Sequence, residues 1–250
     1  MMISVVTVTY NSSRTLQDTI FSASNQSCSK FEFIVIDGVS NDGSIEILRD
    51  NEKFVSQWIS EPDTGMYDAM NKGIHMATGD VVGILNSDDV FYDDQVLSKV
   101  AAAFKKNPEL DAVIGDIVFV KEDDLNQVVR KYSAKNWKPA KFAWGYMPPH
   151  PSFFVRREWF EKLGYYKTDY KIAADYELLI RFLLKGGLRW KYLPLTTTKM
   201  RMGGLSTRGI QSLITLNKEI YRACKENDVY TNYAMIYSKY LFKPFEFIFK

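Results

Sequence analysis

The apolar run VVGIL (81–85) ends abruptly in Asn86, Ser87, Asp88 and Asp89. Two adjacent carboxylates with no Lys or Arg beside them are good ligands for a hard divalent cation. Neighbouring side chains of an extended segment point to opposite sides, so the pair is expected to serve two different partners. The plain alternative is a loop whose aspartates cap a helix over 93–106. Two other apolar runs stop in the same way. FEFIVID (31–37) ends at Asp37 and is followed by GVSNDGS, and SVVTVT (4–9) ends at Thr9, Tyr10 and Asn11. A further carboxylate, Asp175, stands just before the periodic run YELLIRFLL. A helix start there would favour its ionised form; on position alone it reads as an ordinary N-cap residue.

The surrounding pattern has to deliver these groups to one place. Strand-like runs at 3–9, 31–37, 54–60 and 81–86 alternate with helix-like runs at 13–26, 43–51 and 66–77. Ser12 and Ser13 are expected to cap the first helix and Gly79 to close the third. Such alternation predicts an α/β fold with a doubly wound, mostly parallel central sheet flanked by helices. Ligands bind beyond the carboxyl ends of the strands in such sheets. Further on, the pattern predicts a helix at 93–106 and strands at 112–120 and 127–132. An irregular loop or lid at 134–152 follows, then helices at 157–163 and 174–185 and strands at 188–193 and 196–202. From 207 onward it is helical. The expected division is a catalytic domain over 1–206, with a nucleotide-binding half (1–90) and an acceptor-binding half (91–206), and a helical C-terminal appendage over 207–250.

Composition excludes several classes. With 250 residues, 46% hydrophobic and 25% charged, the chain can build a full core. Cys28 and Cys224 are the only cysteines and His75 and His150 the only histidines, too few for a disulfide framework or a His/Cys zinc site. No signal peptide and no apolar run of spanning length is legible, so the expected location is cytoplasmic. The formal charge of +2 conceals an asymmetry: residues 1–127 carry 9 Lys/Arg against 21 Asp/Glu, and residues 128–250 carry 23 against 9. The aromatic, basic end YSKYLFKPFEFIFK (237–250) reads either as an interfacial segment on the inner face of the plasma membrane or as a helix packed on the core. Nucleic-acid binding lacks a motif. A dehydrogenase would need G-x-G-x-x-G after a strand, and a nucleotidyltransferase a Gly-rich basic loop where YNSSRT stands.

TVTYN (7–11), DGVSNDGS (37–44), EPDTGMYDAMNKG (61–73), ATGDVVGILNSDD (77–89) and AADYELLIRF (173–182) follow one another in order. Together they resemble the family 2 inverting glycosyltransferases of bacterial surface-polysaccharide assembly, over roughly residues 3–208. The resemblance implies a glycosyltransferase A fold, a nucleoside-diphosphate sugar donor (a UDP-sugar is favoured), Mn²⁺ or Mg²⁺, and inversion at the anomeric carbon. The acceptor it implies is a glycan or a lipid-diphosphate-linked sugar. Carried over by position, Thr9, Tyr10 and Asn11 lie along the nucleotide, with Asn86 and Ser87 also on the donor. Asp37 accepts from the base N–H, Asp88 faces the ribose or sugar, Asp89 holds the metal and Asp175 is the catalytic base. Asn86 stands where many relatives have Asp, and Glu177 is a rival to Asp175.

Weaker candidates for substrate contact are Asp63, Asp68, Trp144, His150, Arg181, Arg201 and Arg208, the last two within the flexible-looking MRMGGLSTR (200–208). For Asp68 the plain alternative is a surface pair with Lys72 four residues on. For Arg181 it is an ion pair, for His150 a structural role, and for Arg201 and Arg208 an ordinary turn. The rival from another class is a nucleotide-sugar or glycan-binding protein without turnover.

Overall fold

The computed structural model describes residues 1–203 and 209–242; Arg208 and most of 237–250 lie outside them. Four strands, β1 (Ile3–Thr9), β2 (Phe31–Asp37), β3 (Gln57–Ser60) and β4 (Val81–Ile84), form the parallel half of one nine-stranded sheet in the order β3-β2-β1-β4. Their β-branched residues alternate between the two faces. Ile3, Val5, Phe33 and Val35 pack with Leu16 and Ile20 of α1 (Leu16–Ser24) and Val96, Val100 and Phe104 of α4 (Val96–Lys106). Val6, Val8, Ile34 and Ile36 pack with Met70 and Ile74 of α3 (Met66–Met76). This period of two, apolar on both faces, is what a parallel strand covered by helices demands.

The second half is mixed. β8 (Phe153–Arg156) runs antiparallel to β4, and β6 (Ala112–Val120) antiparallel to β8. β9 (Trp190–Arg201) is parallel to β6. The short β5 (Val90–Phe91) and β7 (Val128–Tyr132) pair antiparallel with β9 and β6. The two strands expected at 188–193 and 196–202 are one continuous strand with irregular register against β6. Residues 134–152 are irregular as expected, but Trp137 and Phe142 are core residues, which anchors this segment.

The remaining helices are α2 (Ser44–Asp50), α5 (Glu158–Leu163), α6 (Ala174–Ile180), α7 (Gly209–Glu226) and α8 (Tyr233–Phe242); α6 runs on as a wider turn over Arg181–Lys185. The expected caps are not found. α1 starts at Leu16, and the Ser12 carbonyl, not a serine side chain, accepts the Thr15 and Leu16 N–H groups. α3 ends at Met76, before Gly79. A Cβ on Gly79 would lie 2.5 Å from Ser4 Oγ, so this glycine permits a close approach to β1. The α7 residues Ile220, Ala223 and Cys224 and the α8 residue Ile236 join the same core as α3 and α6. No helix among the described residues is long and apolar enough to cross a membrane.

Candidate active site

Register brings the strand ends together. Thr9 lies opposite Asp37, and Asp37 opposite Ser60. Leu85 N–H donates to Val6 O, which carries β4 past its last residue alongside β1. The carboxyl edge of the parallel half is thus a row of Ser60, Asp37, Thr9 and the 86–89 turn.

Asp37 is fully buried, and its carboxylate accepts from Ser40 N–H (3.0 Å), Ser40 Oγ (2.5 Å) and Ser60 Oγ (2.6 Å). It is turned to its own loop. Asn11 closes the other side of that loop: its N–H donates to Ser40 Oγ at 2.8 Å and its Oδ1 accepts Asn41 N–H at 3.0 Å. Asn11 holds φ 51°, which asparagine tolerates, whereas Val39 holds φ 62°, a strained state for a β-branched residue. Tyr10 is 65% exposed. Between Tyr10 and Asp63 sits Gly38, where a Cβ would lie 2.5 Å from Asp63 Oδ2 and 3.4 Å from the Tyr10 ring. Asp63 also accepts Gly65 N–H at 2.8 Å. Asp68 accepts Thr64 N–H at 3.0 Å and lies 3.9 Å from Lys72, the surface pair its spacing suggested.

The 86–89 turn separates its two carboxylates. Asp88 is half-buried; Asp89 is 1% exposed. Burial first, and then the Asp88 charge, push the Asp89 carboxyl well above the usual carboxylate range, against an Asn86 Nδ2 hydrogen bond of 3.1 Å. Two buried side-chain oxygens at this edge, Thr9 Oγ1 and Asn86 Oδ1, have no hydrogen-bond partner among the described residues. Buried polar atoms are normally paired, so this pattern is what an edge shaped for a polar ligand would show. The side chains of this turn offer oxygen donors, the type a hard cation such as Mg²⁺ or Mn²⁺ takes, commonly from only one or two protein carboxylates. Among the described residues no group of three or more His, Cys, Asp or Glu converges into a protein-only cage.

Several candidates are instead spent on the fold. Ser87 Oγ donates to Ser12 Oγ (2.9 Å), and Ser87 O accepts Thr15 and Thr19 hydroxyls. Ser87 ties the β1–α1 connection to the turn. Arg201 is 7% exposed and divides its guanidinium among Asp88 O (2.8 Å), Asp18 Oδ2 (2.5 Å) and Glu122 O (3.1 Å). It braces the turn and has no free fork to offer a phosphate. Arg181 is likewise saturated, by Glu177 and by the carbonyls of Leu163, Gly164 and Tyr165. Its ion pair with fully buried Glu177, which Lys167 and Asn227 also contact, removes both Arg181 as a substrate contact and Glu177 as a base. His150 is 6% exposed, bonded through Nε2 to Tyr166 Oη at 2.6 Å, and held down to about 4 by burial. It is a neutral core residue, not a substrate ligand. Trp144 is 47% exposed at the end of the turn Pro139–Trp144.

Replacing Arg181 by Ala leaves buried Glu177 without its main counter-ion, and about 3–5 kcal/mol of stability should be lost. Urea unfolding checks this. Lys at 181 cannot span both Glu177 and the three carbonyls, so it should rescue little.

Asp175 is the second residue of α6 and only partly exposed. Burial pushes its carboxyl up to about 6, against a hydrogen bond from Tyr176 N–H and the influence of the nearby Tyr67 hydroxyl. The helix start was expected to favour the ionised form; burial acts the other way and is the larger effect. Tyr67 also donates to Ile172 O at 2.5 Å and stacks on Tyr166. It lines a cleft of about 390 Å³ between Thr64–Asp68 and Thr168–Lys171. Tyr67 gave no sequence signal of its own, because its place on α3 reads simply as apolar periodicity.

Residues 4–164 match the glycosyl transferase family 2 model. A PGL/p-HBAD biosynthesis glycosyltransferase of Mycobacterium bovis is 27% identical over 216 residues, covering 82% of this chain and 79% of that protein. An uncharacterized glycosyltransferase of Mycobacterium tuberculosis is 34% identical over 185 residues, covering 73% and 69%. Among solved structures, S. aureus TarS 1–349 in complex with UDP-GlcNAc superposes with TM-score 0.68 at 18% identity, over 89% of this chain and 66% of that one. The mannosyltransferase PcManGT from Pyrobaculum calidifontis, in complex with GDP-Man and Mn²⁺, superposes with TM-score 0.64 at 21% identity, over 88% and 64%. The chain therefore spans about two thirds of the length of these structural neighbours. Strand order, the acidic carboxyl edge and these relatives converge: the chain has the glycosyltransferase A fold, belongs to glycosyl transferase family 2 and is a glycosyltransferase.

Proposed function

We propose that the chain is an inverting, metal-dependent transferase that moves a sugar from a nucleoside diphosphate to a hydroxyl of a glycan or lipid-diphosphate-linked acceptor. Its setting would be surface-polysaccharide assembly at the inner face of the plasma membrane. The observation that carries the reading is Asp175, a partly buried carboxyl held near 6 and next to Tyr67, which lines a cleft. A base is most effective when its pKa lies close to the working pH. In the step, the acceptor oxygen–C1 bond forms as the C1–oxygen bond to the diphosphate breaks. The hydroxyl proton passes to Asp175 Oδ, and the nucleoside diphosphate leaves with the bonding pair. Attack from the face opposite the leaving group inverts the anomeric carbon.

On the donor side, Tyr10, Gly38 and Asp63 would flank the base, with Asp37 holding the 38–41 loop in place. Direct contact of Asp37 with a base N–H requires Ser40 to yield one of its two bonds. Thr9 Oγ1 and Asn86 Oδ1 would face the ribose and diphosphate, Asp88 the ribose or sugar, and Asp89 would hold Mn²⁺ or Mg²⁺. When bound, such a cation neutralises the charge that gathers on the departing diphosphate. The neighbours' complexes with UDP-GlcNAc and GDP-Man support a nucleotide-sugar donor, and the Mn²⁺ in one of them supports the cation.

Nucleoside-diphosphate release from a panel of nucleotide sugars, with and without Mn²⁺, tests the reading. A matching donor at a hundredfold its dissociation constant should also stabilise the fold by about 2.7 kcal/mol. No stabilisation by any donor and no release would refute it. Gly38→Ala should act on this donor alone: a methyl 2.5 Å from the Asp63 carboxylate displaces that side chain. Calorimetric titration should show nucleoside-diphosphate affinity falling about tenfold or more, a loss near 1.4 kcal/mol, with the unfolding midpoint little changed.

A further inference from the structure

α6 has no side-chain cap of its own at Ala173. Its entry is held from another helix. The carboxylate of Glu219, on α7, accepts the N–H groups of Lys171 at 2.7 Å on Oε1 and of Ile172 and Ala173 at 2.8 Å on Oε2. Three consecutive backbone donors converge on one ionised group 46 residues beyond Ala173, and charge-assisted bonds of this kind are short and strong. They fix the backbone immediately ahead of Asp175 and close the side of the segment whose Ile172 carbonyl receives Tyr67.

The same carboxylate is a negative charge acting on Asp175, which strengthens that group's hold on its proton. The other groups facing Asp175 are accounted for. From α3 comes the neutral Tyr67 hydroxyl, bonded to Ile172 O, and from the 165–170 segment Tyr166, stacked on Tyr67 and bonded to neutral His150. On α6 itself Glu177 is neutralised by Arg181 and Lys167, and on α7 Glu226 is paired with Lys167 and Arg222. Glu219 accepts its hydrogen bonds from the backbone N–H groups of Lys171, Ile172 and Ala173.

We propose that Glu219 is a positioning residue for Asp175: through the 171–173 backbone it aims the base, and its negative charge, adding to burial, moves the pH range in which the base works upward. This rests on the reading of Asp175 as the base. The two roles separate by substitution. Glu219→Gln can keep the oxygen that Ile172 and Ala173 share while losing the charge. The acid limb of the kcat/KM profile should then move to lower pH, by roughly 0.5 or more, with donor KM unchanged. Glu219→Asp keeps the charge but is one methylene short; its acid limb should stay where it is, while kcat falls about tenfold or more.

A purely structural role would lower the melting temperature and leave the limb in place. An unmoved limb in a folded Glu219→Gln protein overturns the proposal. So does an unchanged kcat in Glu219→Asp, which remains readable if the Gln variant does not fold. Asp175→Asn run in parallel distinguishes the failures. If it retains turnover, the base assignment itself is wrong and this inference falls with it; if it is inactive while both Glu219 variants behave as wild type, only the positioning role is wrong.

Discussion

Asp175→Asn should be close to inactive in transfer and, at neutral pH, more stable than the parent. The loss follows from chemistry. An amide cannot take the acceptor proton, and general-base assistance is worth roughly 10²–10⁴ in rate. Donor affinity, measured by titration without acceptor, should be unchanged, because the residues proposed for the donor sit at the edge of β1, β2 and β4 and not on α6. The wild-type profile carries a matching signature. The base must be ionised, so turnover should rise through about pH 6 and level off above it, with about a tenth of the plateau left at pH 5. Turnover of the Asn variant near the wild-type rate would remove Asp175 from the mechanism.

The stability gain follows from linkage. The folded protein holds the Asp175 proton near 6, whereas an aspartate in the unfolded chain releases it near 3.8. Below about pH 4 the group is protonated in both states and makes no difference. Between 4 and 6 only the unfolded chain ionises freely, so folding becomes less favourable. Above 6 the full penalty is present, at most about 3 kcal/mol at roughly 1.4 kcal/mol per pH unit. Asparagine avoids it and can still accept Tyr176 N–H. Melting scans of the two proteins should diverge above pH 6 and converge near pH 4. Equal melting temperatures at pH 7.5 would mean that the burial of Asp175 carries no such penalty. If Asp175 is the base, its placement partly out of water would be a stability cost retained for the chemistry.

What the sequence shows of this molecule, and what it hides, divides along physical lines. β1, β2 and β4 are apolar on both faces, and each stops at a polar residue, so their existence, direction and functional edge are all legible as pattern. The second half of the sheet is not. β8 and β6 run antiparallel where β9 runs parallel, and nothing local in FFVR or AVIGDIVFV states which neighbour each will choose. Long side chains mislead in the same way. Arg181, Arg201 and His150 have the right types for a phosphate or sugar site. Their partners are Glu177 with three carbonyls, Asp18 with the 86–89 turn, and Tyr166, and only folding brings these within reach. Ser87 is concealed for the same reason, by Ser12, Thr15 and Thr19. Glu219 is the converse case: on its own helix it reads as one polar residue in an amphipathic run, and its task is visible only where it meets three N–H groups from another part of the chain.

The Asp88–Asp89 turn should separate two effects that the sequence places side by side. Asp88 is the half-exposed member and Asp89 the buried one. A cation held at Asp89 would offset the burial and the Asp88 charge that push its carboxyl above the usual range. With the charge at 89 gone, the only carboxylate left in the turn is Asp88, which is proposed to face a different partner. Asp89→Asn should therefore weaken Mn²⁺-dependent donor binding by on the order of 10²-fold or more, the scale on which metal-site substitutions act. Binding of donor without metal should change little. The fold should survive, because Thr19 Oγ1 still donates to residue 89's carbonyl at 2.7 Å and its N–H still reaches Asn86 O at 3.1 Å. Asp88→Asn should weaken donor binding with and without metal, since its exposed carboxylate is proposed to face the ribose or sugar. Paired titrations of donor with and without Mn²⁺ on both variants read the difference directly. An Asp89→Asn protein whose donor affinity still rises on adding Mn²⁺ as in the parent would move the cation away from this turn, and with it the role given to the orphan oxygens of Thr9 and Asn86.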